Sequence, residues 1–128
     1  MMHYLTNTYF LIYICYYNSP IGALSEKVNT SDDGFMFRYT SGNYNYAAHV
    51  APRRQFIIHL DAGVRITTSD GQVHDILPGQ VQFVSDTTGR GHKSEAINGE
   101  SRYSVFISVP DSWQPPKTRP LYVSGKKI

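Results

Sequence analysis

Histidines stand at both ends of the stretch from residue 49 to residue 92. It opens with HVAPRRQ, from His49 to Gln55, and closes with DTTGRGH, which ends at His92. A histidine titrates near neutral pH, so a facing pair can take a proton from carbon and return one to oxygen. That is the chemistry of a dehydration, an isomerisation or a cyclisation. Gln55 can hydrogen-bond a substrate carbonyl, and the planar fork of Arg53 can hold a carboxylate or an enolate.

A strand is predicted to position part of this set. In RQFIIHLD, residues 54–61, alternate side chains share a face, so Gln55, Ile57 and His59 point one way. We expect the opposite, fully apolar face to pack between sheets or against an outer layer, which leaves Gln55 and His59 for a lumen. His59 is either a further chemical group or a buried histidine satisfied by a backbone carbonyl. The apolar face comprises Phe56, Ile58 and Leu60.

Strand signals follow one another at short intervals from residue 34 to residue 109, and the apolar residues show no helical spacing over any helical length. The period-two pattern predicts an all-β chain folded as an antiparallel sandwich or barrel. The predicted organisation is a strand-like segment and linker at 1–33, a barrel at 34–110 and a Pro-rich arm at 111–128. Trp113 is expected to pin this arm to the barrel or to a partner.

Length and composition narrow the class of protein. A chain of 128 residues fits one domain, and 41% hydrophobic with 17% charged residues is globular. The net charge of +2 comes from scattered basic residues, which predicts no nucleic-acid partner and favours a small, nearly neutral one. The single cysteine, Cys15, excludes an intrachain disulfide, so a reduced, cytoplasmic compartment is expected.

The N-terminal run from Tyr9 to Tyr17 is apolar and aromatic but falls well short of the ~20 residues that span a bilayer. No membrane span is therefore predicted. The run lacks the positive flank of a signal peptide, so secretion is not expected. It suits a strand that pairs with the barrel or with a neighbouring subunit. Because an unpaired edge of this kind would aggregate, we expect a homodimer.

The combined motifs resemble the small single-domain cupins. In that family the first motif reads HxAPRRQ, followed by an apolar strand and a Ser-Asp-Gly turn, and the second reads Pro-Gly, an apolar strand and DTTGxGH. Here the matching residues lie at 49–55, 69–71, 78–79 and 86–92, and the likeness extends over residues 49–109. The resemblance implies a cupin-type antiparallel β-barrel or jelly roll with a site in its lumen.

The ligand positions depart from those of metal-binding cupins, which typically use two histidines one residue apart, a glutamate and a later histidine. His49 and His92 match the first and last histidines, whereas Ala51 and Gln55 occupy the other two positions. An amide oxygen carries no charge, so His49, Gln55 and His92 are predicted to bind a divalent Fe, Zn, Ni or Mn ion only weakly. His59 is a candidate third imidazole.

Some cupins of this kind are described as oxidoreductases of fungal polyketide pathways. The resemblance therefore implies a tailoring enzyme that acts on a small, polyketide-like secondary-metabolite intermediate, as an oxidoreductase. One alternative is a metal-free acid–base dehydratase, isomerase or cyclase in the same lumen. The other is a non-catalytic cupin that binds a small molecule or serves as an accessory protein.

Structural roles compete with the functional ones at two places. A salt bridge to Asp61 or Asp86 would account for either Arg53 or Arg54. The loop from Asp86 to Gly91 is expected to be a scaffold, in which the glycines permit unusual backbone angles and Asp86 caps exposed amides.

Overall fold

The computed structural model describes residues 27–113 completely and, outside that range, only the backbone of short strands. The described residues form fourteen strands and no helix, and accordingly this part of the chain contains no helix that is long and apolar enough to cross a membrane. In chain order the strands are β1 (Tyr4–Leu5), β2 (Thr8–Phe10), β3 (Tyr16–Ser19), β4 (Gly22–Ser25), β5 (Phe35–Thr40), β6 (Asn45–His49), β7 (Gln55–His59), β8 (Val64–Thr68), β9 (Val73–Ile76), β10 (Val81–Val84), β11 (His92–Ala96), β12 (Arg102–Ser108), β13 (Tyr122–Val123) and β14 (Lys126–Lys127).

Two antiparallel sheets build the body of the protein. The larger sheet has the order β1-β2-β10-β7-β12-β5 and the smaller has the order β6-β11-β8-β9. Within residues 27–113 each sheet contributes four strands. From β5 to β12 the chain crosses from one sheet to the other at every step except the one from β8 to β9. This order is typical of a sandwich or jelly roll, so the predicted all-β antiparallel class is confirmed.

The pleat of β7 separates an inner face from an outer one. Gln55, Ile57 and His59 are buried, as the alternation predicted, and they face the space between the sheets. Ile57 packs there in an apolar cluster. The other members of that cluster are Ala51, Val84 and the partly buried Phe106. The smaller sheet adds an inner cluster of Val64, Ile66 and Ile76.

An outer layer covers the opposite face of the larger sheet. Trp113 packs edge-on against Phe56 and Phe83, with ring centroids 5.1 and 5.0 Å away, which agrees with the predicted pinning role. Arg54 donates to the carbonyl oxygens of Pro110, Asp111 and Trp113 and so fastens the same turn. The predicted packing is wrong for Leu60, which is 49% exposed. The Pro-rich remainder of the arm, from residue 114, lies outside the fully described range.

The edges of the larger sheet bear on the predicted oligomer. At one edge, Phe35 and Phe37 project outward from β5 and are exposed. Toward the other edge, β2 pairs with β10, so the backbone of Thr8–Phe10 extends the larger sheet. This is one of the two pairings that were predicted for the N-terminal run. Residues 11–15 of the same run lie outside the described residues. The homodimer and the cytoplasmic location stay predictions.

Candidate functional site

A cavity of about 350 Å³ lies between the two sheets. Cavities of this size hold small organic molecules. All five candidate site residues line its wall. They are His49, Arg53, Gln55, His59 and His92. The structure thus brings together the residues that the sequence singled out, while their chemical roles stay predictions.

The two motif histidines are direct neighbours across a strand pair. His49 on β6 and His92 on β11 are opposite each other in the ladder, and their ring centroids are 4.7 Å apart. Each strand ends or begins at its histidine, where the two motif loops meet. A backbone hydrogen bond of 3.0 Å from the Ala51 amide to the Asp86 carbonyl ties the loops together. The pairing is therefore fixed by the backbone as well as by the side chains.

A bulge in β6 turns His49 toward the cavity. Ser94 is opposite Tyr46, whereas His92 is opposite His49, so β6 carries one residue more than β11 over this interval. Without the bulge, strict alternation would place Tyr46 and Ala48 on one face and His49 on the other. With it, the Tyr46 and His49 rings lie side by side at 4.1 Å and both line the cavity.

Gly91 permits the close approach of the two strands. Its φ is +69°, in the region that favours glycine. A Cβ atom at this position would lie 1.9 Å from the carbonyl oxygen of His49. No side chain fits there, so the residue before His92 is a glycine for two independent reasons.

Both histidines use Nδ1 for structural hydrogen bonds. Nδ1 of His49 lies 2.9 Å from the Ala47 carbonyl oxygen, and Nδ1 of His92 lies 2.5 Å from Oδ2 of Asp86. A carbonyl or carboxylate oxygen only accepts, so in each ring Nδ1 carries the proton and the neutral form keeps a lone pair on Nε2. His92 and Asp86 are both buried. Asp86 thus contacts a histidine instead of the loop amides or arginines expected from the sequence, because the loop folds its carboxylate inward.

The consecutive arginines diverge, as the strand geometry requires. Arg53 lines the cavity, and its Nε lies 3.5 Å from Oδ2 of Asp33 in the preceding linker. Arg54 points to the outer layer, where its guanidinium also lies over the Phe83 ring at 5.3 Å. The salt bridges predicted to Asp61 and Asp86 are wrong. Asp61 instead accepts a hydrogen bond from the Tyr103 amide at 2.7 Å.

His59 is held as a neutral imidazole deep in the cavity wall. It is 2% exposed, and its Nε2 lies 3.2 Å from Oε1 of Gln82. Burial lowers its pKa from 6.5 to about 4; the Gln82 hydrogen bond opposes this shift and the charge of Arg102 adds to it. Nε2 thus contacts a side-chain amide, not the backbone carbonyl considered from the sequence, and Nδ1 has no hydrogen-bond partner among the described residues. His59 therefore stays uncharged near neutral pH.

The donor set for a metal is incomplete among the described residues. His49 and His92 would present two Nε2 atoms, and their Nδ1 contacts are of the kind that orient metal ligands. Catalytic zinc sites use three protein ligands, whereas the third group here is the neutral amide of Gln55. Residues 27–113 hold no group of three or more His, Cys, Asp or Glu side chains suited to an ion. The residues present thus do not fit a resident three-ligand metal.

Two arginines line the cavity in addition to the residues predicted from the sequence. Arg102 is 7% exposed, and its guanidinium lies 5.2 Å from the Tyr44 ring centroid. Arg38 also lines the cavity and lies over the Phe106 ring at 5.0 Å. The alternation in RYSVFISV, residues 102–109, could have placed Arg102 with Ser104 and Phe106 on one face. It gave no reason to point that face inward.

Comparison with known proteins does not assign a family to this chain. No protein-family profile and no curated protein matches the sequence. Among solved structures, the chain is similar to the crystal structure of protein NMB1881 from Neisseria meningitidis, with 18% identity and a TM-score of 0.48 over 62% of this chain and 78% of that one. The cupin family, implied by the two motifs, stays a prediction.

Proposed function

We propose that this chain is a small cupin-type enzyme that moves a proton on a small organic substrate, as a dehydratase, isomerase or cyclase. The observation that carries the proposal is the pairing of His49 and His92 at 4.7 Å in the cavity wall, with Nδ1 of each ring already engaged. Two Nε2 atoms with defined protonation are thereby available at one place. General acid–base catalysis requires such positioned groups.

His92 is assigned the role of base. Its Nε2 takes a proton from the substrate carbon, the bonding electrons move onto the carbonyl oxygen, and the Asp86 carboxylate at 2.5 Å stabilises the positive ring that results. The side-chain amide of Gln55 donates a hydrogen bond to the developing oxyanion.

His49 is assigned the role of acid. In its imidazolium form it delivers a proton to a leaving oxygen in a dehydration, or to a second carbon in an isomerisation. Because His49 is only half-buried, it exchanges this proton with solvent between turnovers. His92 is buried, so its gained proton leaves through the neighbouring His49, whose ring centroid lies 4.7 Å away, and the two rings return to their starting states.

The proposal is tested by deuterium exchange. Wild-type protein is incubated in D2O with phenylpyruvate and with the neutral ketone phenylacetone, and loss of the C–H signal next to the carbonyl is followed by proton NMR. We expect catalysed exchange, and we expect Asp86→Asn and His92→Gln to slow it by about 10²- to 10⁴-fold. Asp75→Asn is the matched control, because Asp75 is paired with Arg65 on the surface and does not line the cavity.

Two outcomes would overturn the assignment. Unchanged exchange in both His49→Gln and His92→Gln would remove the histidine pair from the chemistry and leave the non-catalytic binding protein as the better proposal. Loss of exchange on dialysis against a chelator, with recovery on adding Fe²⁺ or Zn²⁺, would replace the metal-free mechanism. The oxidoreductase expectation, which rests on the resemblance, stays a prediction that this second experiment also addresses.

A further inference from the structure

The cavity wall carries positive charge without a matching carboxylate. Its described lining contains three arginines, Arg38, Arg53 and Arg102, and neither Asp nor Glu. Arg53 has an ion-pair partner in Asp33. Arg38 and Arg102 have no carboxylate within ion-pair distance among residues 27–113. Two guanidinium groups thus face the cavity without a protein counter-ion in the described part of the chain.

Arg102 is the more unusual of the two because it is buried. Its side chain is 93% removed from solvent, being 7% exposed, and its Nη1 has no hydrogen-bond partner among the described residues. Burial, opposed by Tyr44 and reinforced by the neighbouring Arg38, lowers the pKa of Arg102 from its usual range. A buried charge without an ion-pair or hydrogen-bond partner destabilises a fold. A bound anion would supply the missing partner.

A row of rings connects this positive end of the cavity to the histidine pair. The Arg102 guanidinium lies over Tyr44, the Tyr44 and Tyr46 rings are stacked at 6.0 Å, and Tyr46 lies 4.1 Å from His49. All of these groups line the cavity. Stacked aromatic walls favour flat, unsaturated molecules, since ring faces and edges attract one another.

We infer that the ligand of this cavity is a flat or aromatic organic anion whose carboxylate binds Arg102 and Arg38, while its other end reaches His49 and His92. The contact of the ligand with the two histidines rests on the proposed function, whereas the binding of its carboxylate rests on the two arginines alone. The inference replaces the nearly neutral partner that the net charge had favoured. A planar guanidinium can bind a carboxylate with two parallel hydrogen bonds, which fits Arg better than Lys at such a position.

The inference is tested by binding, which needs no turnover. Phenylpyruvate and its neutral amide, phenylpyruvamide, are titrated into the full-length wild-type protein by calorimetry. We expect the anion to bind at least about tenfold more tightly than the amide, since a hydrogen bond to a charged group is worth about 1.5–3 kcal/mol. Equal affinities, or no binding of either compound at millimolar concentration, would overturn the inference without any variant.

Variants then assign the effect to particular residues. Arg102→Gln and Arg38→Gln are each expected to weaken phenylpyruvate binding by about 10- to 100-fold and to leave phenylpyruvamide unchanged. Arg65→Gln is the matched control, because Arg65 is exposed, pairs with Asp75 and does not line the cavity. The side chain of Arg38 is exposed, so its variant keeps the fold, as near-ultraviolet circular dichroism checks. Undiminished preference for the anion in both cavity variants would overturn the assignment.

The two proposals fail separately. Preferential binding of phenylpyruvate without deuterium exchange would refute the acid–base function and keep the anion site. Exchange of phenylacetone at the same rate as phenylpyruvate, with equal affinities for anion and amide, would keep the acid–base function and refute the anion site.

Discussion

Replacing Gly91 by alanine separates backbone strain from a steric requirement of the site. Gly89 and Gly91 both have positive φ, at +86° and +69°. Alanine in this region costs about 1–2 kcal/mol at either position. Only Gly91 also meets a neighbour, since its added Cβ would lie 1.9 Å from the His49 carbonyl oxygen, whereas a Cβ at Gly89 meets nothing within 4 Å. Gly89→Ala is therefore a matched control for strain.

The expected difference follows from that contact. A carbon approaches a carbonyl oxygen no closer than about 3.3 Å, so Gly91→Ala must move the His49 backbone by roughly 1.4 Å. Overpacking of this kind costs about 1–3 kcal/mol in addition to the strain. Because the shift occurs between His49 and His92, we also expect about a 10²-fold loss of deuterium exchange, the typical effect of a displacement near 1 Å.

Urea unfolding and NMR measure the two parts of this prediction. We expect Gly91→Ala to lose more stability than Gly89→Ala and to lose the nuclear Overhauser contacts between the His49 and His92 rings. The control variant is expected to keep those contacts and its exchange rate. Equal losses of stability in the two variants, with the ring contacts intact in both, would refute the role of Gly91 in positioning the pair.

Four further predictions follow from the site and the sheet edge. The ring protons of His59 should titrate with a midpoint near pH 4 in NMR, and a midpoint near 6.5 would contradict its burial as a neutral group. As the pH falls, the unfolded chain binds a proton at this histidine before the folded protein does. The stability contributed by neutral His59 is therefore complete above pH 6.5 and is lost as the pH falls toward 4. Arg102→Met should raise the melting temperature of the ligand-free protein, with a gain of about 1–4 kcal/mol, and a lowered melting temperature would show that the charge already has a partner. Gln55→Glu should bind Zn²⁺ at least about tenfold more tightly than wild type in calorimetry, because it adds an anionic oxygen to the two imidazoles, and an unchanged affinity would show that residue 55 does not reach the ion. Light scattering should give twice the mass of one chain, and Phe37→Asp at the exposed β5 edge, where Phe37 is 74% exposed, should shift the mass toward that of a monomer; a monomeric wild type would refute the homodimer.

The alternation of side chains in β7 was enough to predict the inward face of that strand. Gln55 and His59 were placed correctly because the opposite face of β7, which carries Phe56 and Ile58, is wholly apolar and packs under an outer layer. The same rule failed at β12, where Arg102 points inward and Tyr103 is 53% exposed. Apolar-in, polar-out patterning assumes that the inside is dry. In this protein the inside is a cavity with polar walls, so the rule does not decide the direction.

The position of His49 depends on a bulge that spacing alone does not reveal. Regular alternation puts Tyr46 and His49 on opposite faces, and only the extra residue opposite β11 brings both to the cavity. The contact of Asp86 with His92 depends likewise on the loop conformation, in which Gly89 and Gly91 both adopt positive φ. The Asp33 partner of Arg53 comes from a linker with no pattern of its own. Each of these contacts is set by tertiary geometry, which local sequence does not encode.

Arg102 is expected to affect both stability and ligand binding. Measuring the two together shows whether it is a ligand-binding residue or only an unpaired charge in the fold. If its buried charge served only the fold, a partner from the protein would be expected, yet its Nη1 has none among the described residues. Removing the charge should then stabilise the empty protein, while phenylpyruvate should stabilise the wild type more than Arg102→Met, because the stabilisation is RT ln(1 + [L]/Kd) and the variant has the larger Kd. The melting temperatures of wild type and Arg102→Met should therefore converge as the anion concentration rises. Two parallel curves would mean that the arginine does not contact the anion, whatever the affinities are.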